Sequence, residues 1–163
     1  MAEEAMIGSW TGGTATAGER LLLWSFRAWV SGPGFRDLVA REYARRFAPD
    51  EMPTALKALD LVVTAIARHA RRRIVHHPPC CSRIAADEQA VLAIFAAAQA
   101  ERADLALAHA GWLVRPDGAG AVVTAAAALG LAMIENDLCM PYRGITSPIA
   151  DEAVPAEAVG RLH

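Results

Sequence analysis

His76-His77-Pro78-Pro79-Cys80-Cys81 places four soft or borderline metal ligands within six residues. Imidazole and thiolate are the preferred donors to zinc, and both also suit iron and copper. Pro78 and Pro79 hold the backbone extended, which sets the reach between the histidine pair and the cysteine pair. His77 and Cys80 have two residues between them, the gap common between chelating ligands in zinc sites. Cys139 could add a further thiolate if the end of the last helix lies near this loop. His69 and His109 sit on helices from which they could approach. The chemistry expected here is zinc or iron binding by His76, His77, Cys80 and Cys81. A redox role for Cys80 or Cys81 competes with it, because Arg72, Arg73, Arg83 and a following helix N-terminus all favour a thiolate. An inert alternative stands beside both, with the cysteines packed as small apolar groups and the histidines solvated. Adjacent cysteines are awkward joint ligands of one tetrahedral ion.

Other chemistry is sparse. The sequence has no Gly-rich phosphate loop, no G-x-S-x-G elbow and no H-E-x-x-H helix, the patterns that phosphate binding, serine hydrolysis and zinc proteolysis need. Asp87-Glu88 and the Glu135, Asp137 pair read as helix-end charges rather than acid–base machinery. Trp24, Trp29 and Trp112 read as core. Arg68, Arg71, Arg72 and Arg73 close a helix, where cations complement the macrodipole, and with Arg83 they form a basic patch. A net charge of −2 provides no general attraction to polyanions. Nucleic-acid binding is not expected.

Periodicity supplies the elements that must hold the loop. The expected helices run over Glu19–Ser31, Phe35–Phe47, about Asp50–Arg72, Ala86–Ala98, Glu101–Val114 and about Ala121–Cys139. In the first, Leu22, Phe26 and Trp29 share a face, and Arg20, Trp24 and Arg27 form an opposite stripe spaced for cation–π contact. In the second, Phe35, Leu38, Val39, Tyr43 and Phe47 recur at helical spacing, with Asp37–Arg41 and Glu42–Arg46 as acid-first pairs. The third carries the strongest period, through Met52, Leu56, Leu59, Val63, Ile66 and Ala70. The fifth is expected to bury Leu105, Ala108 and Trp112 and to stop at Pro116-Asp117-Gly118. Pro141 is expected to stop the sixth.

The hydrophobic fraction is 54%, yet 36 of the 163 residues are alanine and only 6% are aromatic. Such a composition suits closely packed helices, since alanine loses no side-chain entropy on ordering. Ala119 to Ile134 is uncharged but alanine-rich and short of a span of about 20 predominantly apolar residues, so it is expected to be a buried core helix. Without a basic segment leading into an apolar run, no secretory signal is read, and the cytoplasm is the default expectation. Three cysteines, two of them adjacent, argue against a disulfide framework. Fifteen arginines against one lysine, with so much alanine, point to a GC-rich bacterial genome.

The expected architecture is all-α: an irregular bundle of about six helices in a single domain. Residues 1–18 are assigned to a flexible arm, 19–141 to the bundle, and 142–163 to a tail that is partly disordered or holds one short helix. The order of Glu19–Trp29, the His/Pro/Cys loop, a helix opening with Asp87-Glu88 and an alanine-rich last helix resembles small all-helical bacterial proteins classed as domains of unknown function. That resemblance implies a helical fold over Glu19 to Pro141 and no activity. From the abundant apolar helix surface, the function expected is a non-enzymatic protein-interaction or regulatory module, with a protein partner or a second copy of itself.

Overall fold

The computed structural model describes residues 15–143. Its first helix, α1 (Ala17–Val30), opens on a capping box. The Glu19 amide donates to Thr16 Oγ1 at 3.2 Å, and the Thr16 amide donates to Glu19 Oε2 at 2.8 Å. Two N–H groups without intrahelical partners are thereby satisfied, and the bundle starts ahead of Glu19, within the stretch assigned to the arm. The rest of that arm and the tail from residue 144 lie outside the described residues. Every residue from Leu21 to Ala28 is buried, so α1 is enclosed on all sides along this stretch. Trp24 and Arg27 are therefore not the outward stripe expected of them. Arg27 turns inward because a carboxylate awaits it, and the cation–π contact is made instead by Arg36, whose guanidinium lies 4.9 Å from the Trp29 ring centroid.

Gly32, at φ 121°, turns the chain where a side chain would be strained, and a short 3-10 turn leads into α2 (Arg36–Arg46). α2 buries Val39 and Tyr43, and the Glu42–Arg46 pair forms at 2.8 Å. In α3 (Met52–His69), Leu59 and Ile66 reach the core as expected, together with Ala55, Ala58, Val62 and Ala65. Met52, Leu56 and Val63 pack at its edge. α3 ends at His69, ahead of Arg71, Arg72 and Arg73, and Ala70 pairs with Val114 in an isolated bridge.

α4 (Ala86–Gln99) and α5 (Ala103–Leu113) form a hairpin. α5 buries Ala106, His109, Ala110 and Leu113. Trp112, expected in the core, is 66% exposed, and Ala108 is exposed as well. α5 lies against the alanine-rich faces of α4 and α6, where Ala106 and Ala110 fit and an indole does not. α6 (Pro116–Glu135) corrects two expectations. Pro116 opens this helix rather than ending the previous one, because the first helical position has no N–H bond to lose. The helix also stops before Cys139. Asp137 takes a left-handed conformation at φ 60°, the Leu138 amide donates to Met133 O at 2.8 Å, and the Asp137 amide donates to Ile134 O at 3.1 Å. These bonds make a Schellman motif with aspartate where glycine is usual. Glu101, at φ 56°, closes α4 in the same way.

Beyond α6 the chain becomes a strap, with Leu138 and Met140 buried. Gln99 brackets it, donating to Leu138 O at 3.1 Å and accepting from the Met140 amide at 2.7 Å. Thr16 Oγ1 donates to Cys139 O, and Arg143 pairs with Glu19 at 3.0 Å. Gly18 allows this crossing, since a Cβ there would lie 2.7 Å from Leu138 O. α6 packs against α3, α4 and α5, while α1 packs against α2, α3 and α4. Asn136 bonds Glu51 and Ala48 at one end, and Arg115 bonds His69 at the other, so α3 and α6 run antiparallel. By length and composition α6 could cross a membrane, and half of that window is buried inside the bundle. Among the described residues there is no strand. The fold is a single-domain, all-α bundle, with six helices among the described residues.

Candidate functional site

Two adjacent carboxylates at the start of α4 hold the segment between α3 and α4. Asp87 receives both Arg72 guanidinium nitrogens at 2.7 Å and the Val75 amide at 2.7 Å. Glu88 sits deeper, its side chain fully buried opposite an Arg27 side chain that is 3% exposed. Arg27 Nε donates to Glu88 Oε1 at 2.6 Å and Arg27 Nη2 to Glu88 Oε2 at 2.8 Å, a bidentate pair. The His77 amide adds a bond to Oε1 at 2.9 Å, and the Ala85 amide one to Oε2 at 2.8 Å. A carboxylate has about four acceptor sites, and Glu88 fills them. Arg27 turns two of its three remaining donors to the loop backbone, at Cys81 O (2.7 Å) and Arg83 O. The ion pair is thus a peg through the loop: amides at 77 and 85 and carbonyls at 81 and 83 all end on it. A turn from Pro78 to Cys81, closed by the Cys81 amide on Pro78 O at 3.0 Å, forms the tip.

The electrostatics agree with this geometry. The hydrogen bonds from Arg72 hold the Asp87 carboxyl below its ordinary value against a burial that works the other way. For Glu88, burial is the largest influence and pushes upward. The bonds from Arg27, Ala85 and His77, with the Arg27 charge, together overcome it, so this carboxyl also stays low. Both groups are anionic at neutral pH. Glu88 has its acceptor sites filled, three donors reach Asp87, and both carboxylates hold backbone in place.

The expected ligands lie on this pegged loop but do not converge. His76 and Cys80 are exposed, His77 and Cys81 are half-buried, and His76 Nδ1 reaches only the neighbouring His77 O at 3.4 Å. Cys139 is exposed on the strap beside Gly18, at the other end of α1 from Arg27. Nine residues of helix, about 14 Å, separate those two levels. His109 is buried on α5, with Nε2 2.7 Å from the Tyr142 hydroxyl. Burial holds its imidazole below the ordinary value. His69 covers Gly118 at the end of α3, and its Nδ1 lies 3.6 Å from Asp117 Oδ2. Among the described residues no three His, Cys, Asp or Glu side chains are grouped to hold a metal ion.

Around the loop, Arg68, Arg71, Arg73, Arg83 and Arg115 are exposed. Arg71 Nε donates to Val114 O and Arg115 Nη2 to Arg68 O, so arginines from α3 and the α5–α6 link gather at one end of the bundle. The Arg27–Glu88 peg was missed by reading residues singly. Its signal was two polar interruptions, Ser25 and Arg27, in the apolar run Leu21–Val30. Each has a buried partner, Tyr43 for Ser25 at 3.0 Å and Glu88 for Arg27.

A second unusual surface lies on the outer helices. Leu61 of α3, Leu107 and Trp112 of α5, and Leu131 and Ile134 of α6 remain 38–66% exposed. On α6 the outward residues Gly120, Thr124, Ala127, Leu131 and Ile134 recur at four, three, four and three, flanked by Ala121 and Ala128. No charge interrupts this stripe. No family model matches the chain, and neither curated proteins nor solved structures match it.

Proposed function

We propose that the chain is a non-enzymatic helical module that acts through protein contacts. The observation that carries this reading is the set of large apolar side chains outside the core on α3, α5 and α6, Trp112 foremost at 66% exposure. Aromatic anchors of this kind dominate protein interfaces, because a large rigid surface is buried at little entropic cost. The two acids that hold the loop support it from the other direction, since the protein's own donors occupy Glu88 fully and Asp87 in large part. Site-specific photo-crosslinking in the producing cell tests the reading, with the probe at position 112 or 131 and a control at exposed Lys57. A discrete product from 112 or 131 and none from 57 is expected. Equal products, or none from any position, would remove it.

A second reading takes the loop as a zinc- or iron-binding or thiol-redox site. It is favoured by the exposed Cys80 beside Cys81 on a backbone that Arg27 and Glu88 hold still, the kind of rigid support a ligand site needs. Elemental analysis of freshly purified protein and of a Cys80→Ser/Cys81→Ser variant decides it. Stoichiometric metal lost in the variant supports metal binding, and trace metal in both ends it. Thiol titration against pH tests the redox form, which needs one cysteine to react well below the ordinary thiol range.

A further inference from the structure

We infer that the partner of the α6 face is a second copy of this chain, docked with the two α6 helices antiparallel. The inference rests on the protein-contact reading and names its occupant.

The first argument is size. Small residues occupy the N-terminal half of the outward stripe, Gly120, Ala121 and Thr124, and large ones its C-terminal half, Leu131 and Ile134. An antiparallel pair centred on Ala127 sets Ile134 of each copy against Gly120 of the other, and Leu131 against Thr124. Large side chains then fill the spaces over small ones, the interdigitation that helix packing requires. A parallel pair would set Leu131 on Leu131 and Ile134 on Ile134, and the Gly120 ends would stand apart.

The second argument is charge. Exposed Arg68, Arg71 and Arg115 surround the N-terminal end of α6, whereas exposed Glu135 and Asp137, with Asp50 at the start of α3, mark its C-terminal end. The acids at the basic end are engaged by its own arginines: Asp87 by Arg72 at 2.7 Å, Glu88 by Arg27 at 2.6 Å, and Asp117 3.6 Å from Arg115. Antiparallel docking brings each basic end to an acidic end twice over. Parallel docking would bring like to like. Such pairing at a rim sets orientation more than affinity.

The scale follows from the helix. Twenty residues span about 30 Å, and a stripe about 10 Å wide covers on the order of 300 Å² per copy, against about 800 Å² per partner in a standard interface. Such an area lies at the small, transient end of the range. A dimer with Kd in the micromolar range is expected.

Sedimentation equilibrium of the full chain from about 1 to 300 μM tests this. A reversible monomer–dimer equilibrium is expected, weakened about tenfold or more by Leu131→Glu at an exposed position. Arg115→Glu should weaken it about three- to tenfold, and Arg115→Glu/Glu135→Arg should restore it, because the swap rebuilds complementary ends only when the helices are antiparallel. Helical circular dichroism of each variant checks folding. A wild-type chain monomeric throughout overturns the inference, and so does a dimer indifferent to Leu131→Glu. A monomer that co-sediments with phosphatidylcholine–phosphatidylglycerol vesicles also overturns it and assigns the face to lipid. A crosslink from position 131 to a product other than twice the chain mass would sink the inference while leaving the protein-contact reading intact.

Discussion

Replacing Glu88 by glutamine tests whether the buried pair is the peg of the loop. The substitution keeps the volume, so no cavity enters the reckoning. It removes the charge opposite Arg27, whose side chain is 3% exposed, and turns one acceptor oxygen into an amide. Either orientation of that amide points donors at donors: Arg27 Nη2 and the Ala85 amide on one side, Arg27 Nε and the His77 amide on the other. Removing one partner of a buried ion pair destabilises by about 3–5 kcal/mol. For the roughly 130 described residues the unfolding entropy near Tm is about 0.27 kcal/mol/K, so Tm should fall by about 11–18 °C. Urea unfolding and calorimetry measure the loss. Hydrogen exchange locates it, because the amides of His77 and Ala85 should lose protection while those of α3 keep theirs. A double Arg27→Met/Glu88→Leu variant should recover part of the global stability and none of that loop protection, since the loop's own donors and acceptors remain unpaired. A Glu88→Gln loss under about 1 kcal/mol, or an unchanged exchange pattern in the loop, would refute the peg.

Three further outcomes follow from the same structure. Gly118→Ala should destabilise by about 1–3 kcal/mol, the usual overpacking range, because its new Cβ would meet His69 Cβ and Cγ. His69→Ala should not rescue it and His69→Gly should, as chemical denaturation of the two double variants will show. Glu101→Gly should stabilise by about 0.5–1 kcal/mol, as relief of a left-handed side-chain conformation outweighs the entropy glycine adds to the unfolded chain; an unchanged denaturation midpoint would contradict it. For His109, whose imidazole is held below the ordinary value by burial, the folded state binds fewer protons than the unfolded one. Its stability contribution is full above about pH 6.5 and is lost as pH falls from there through the folded value. His109→Gln should flatten that limb of the stability–pH curve.

The class of fold was legible because it rests on many weak, concordant signals: helical spacing in Phe35–Phe47, the period through Leu59 and Ile66, and alanine almost everywhere. The errors fall where one residue was asked to decide. Pro116 was read as a terminator although proline is equally at home as the first residue of a helix. The sequence carries the last helix on to about Cys139, ahead of Pro141, because Asp137 stands in the left-handed position where glycine would have signalled the stop. Trp112 was sent inward on its size, but a helix seated among alanines buries its small face. For the candidate site, the sequence located the loop and the residues displayed on it. It could not show their spacing, nor that Asp87 and Glu88 reach backward to hold that loop. A carboxylate at the third helical position bonding the chain before it is ordinary capping, and only the arrival of Arg27 from a helix sixty-one residues earlier makes it a peg.

That peg also bears on how the two surfaces relate. A loop of sixteen residues between α3 and α4 would ordinarily be the softest part of such a bundle, since local stability follows buried contacts and protected hydrogen bonds. Here its midpoint is fastened to α1 by charge-assisted bonds, and its start is clipped to Val114, just ahead of α6. The loop therefore bears on where Arg71, the basic-end arginine at its start, stands relative to the outward face of α6. If two copies dock antiparallel, loosening the peg should weaken the rim pairing without touching Leu131 or Ile134. Glu88→Gln would then lower the salt sensitivity of dimerisation at temperatures where the bundle remains folded, and an unaltered salt dependence would show that the basic end is held by the α3–α6 pairing alone.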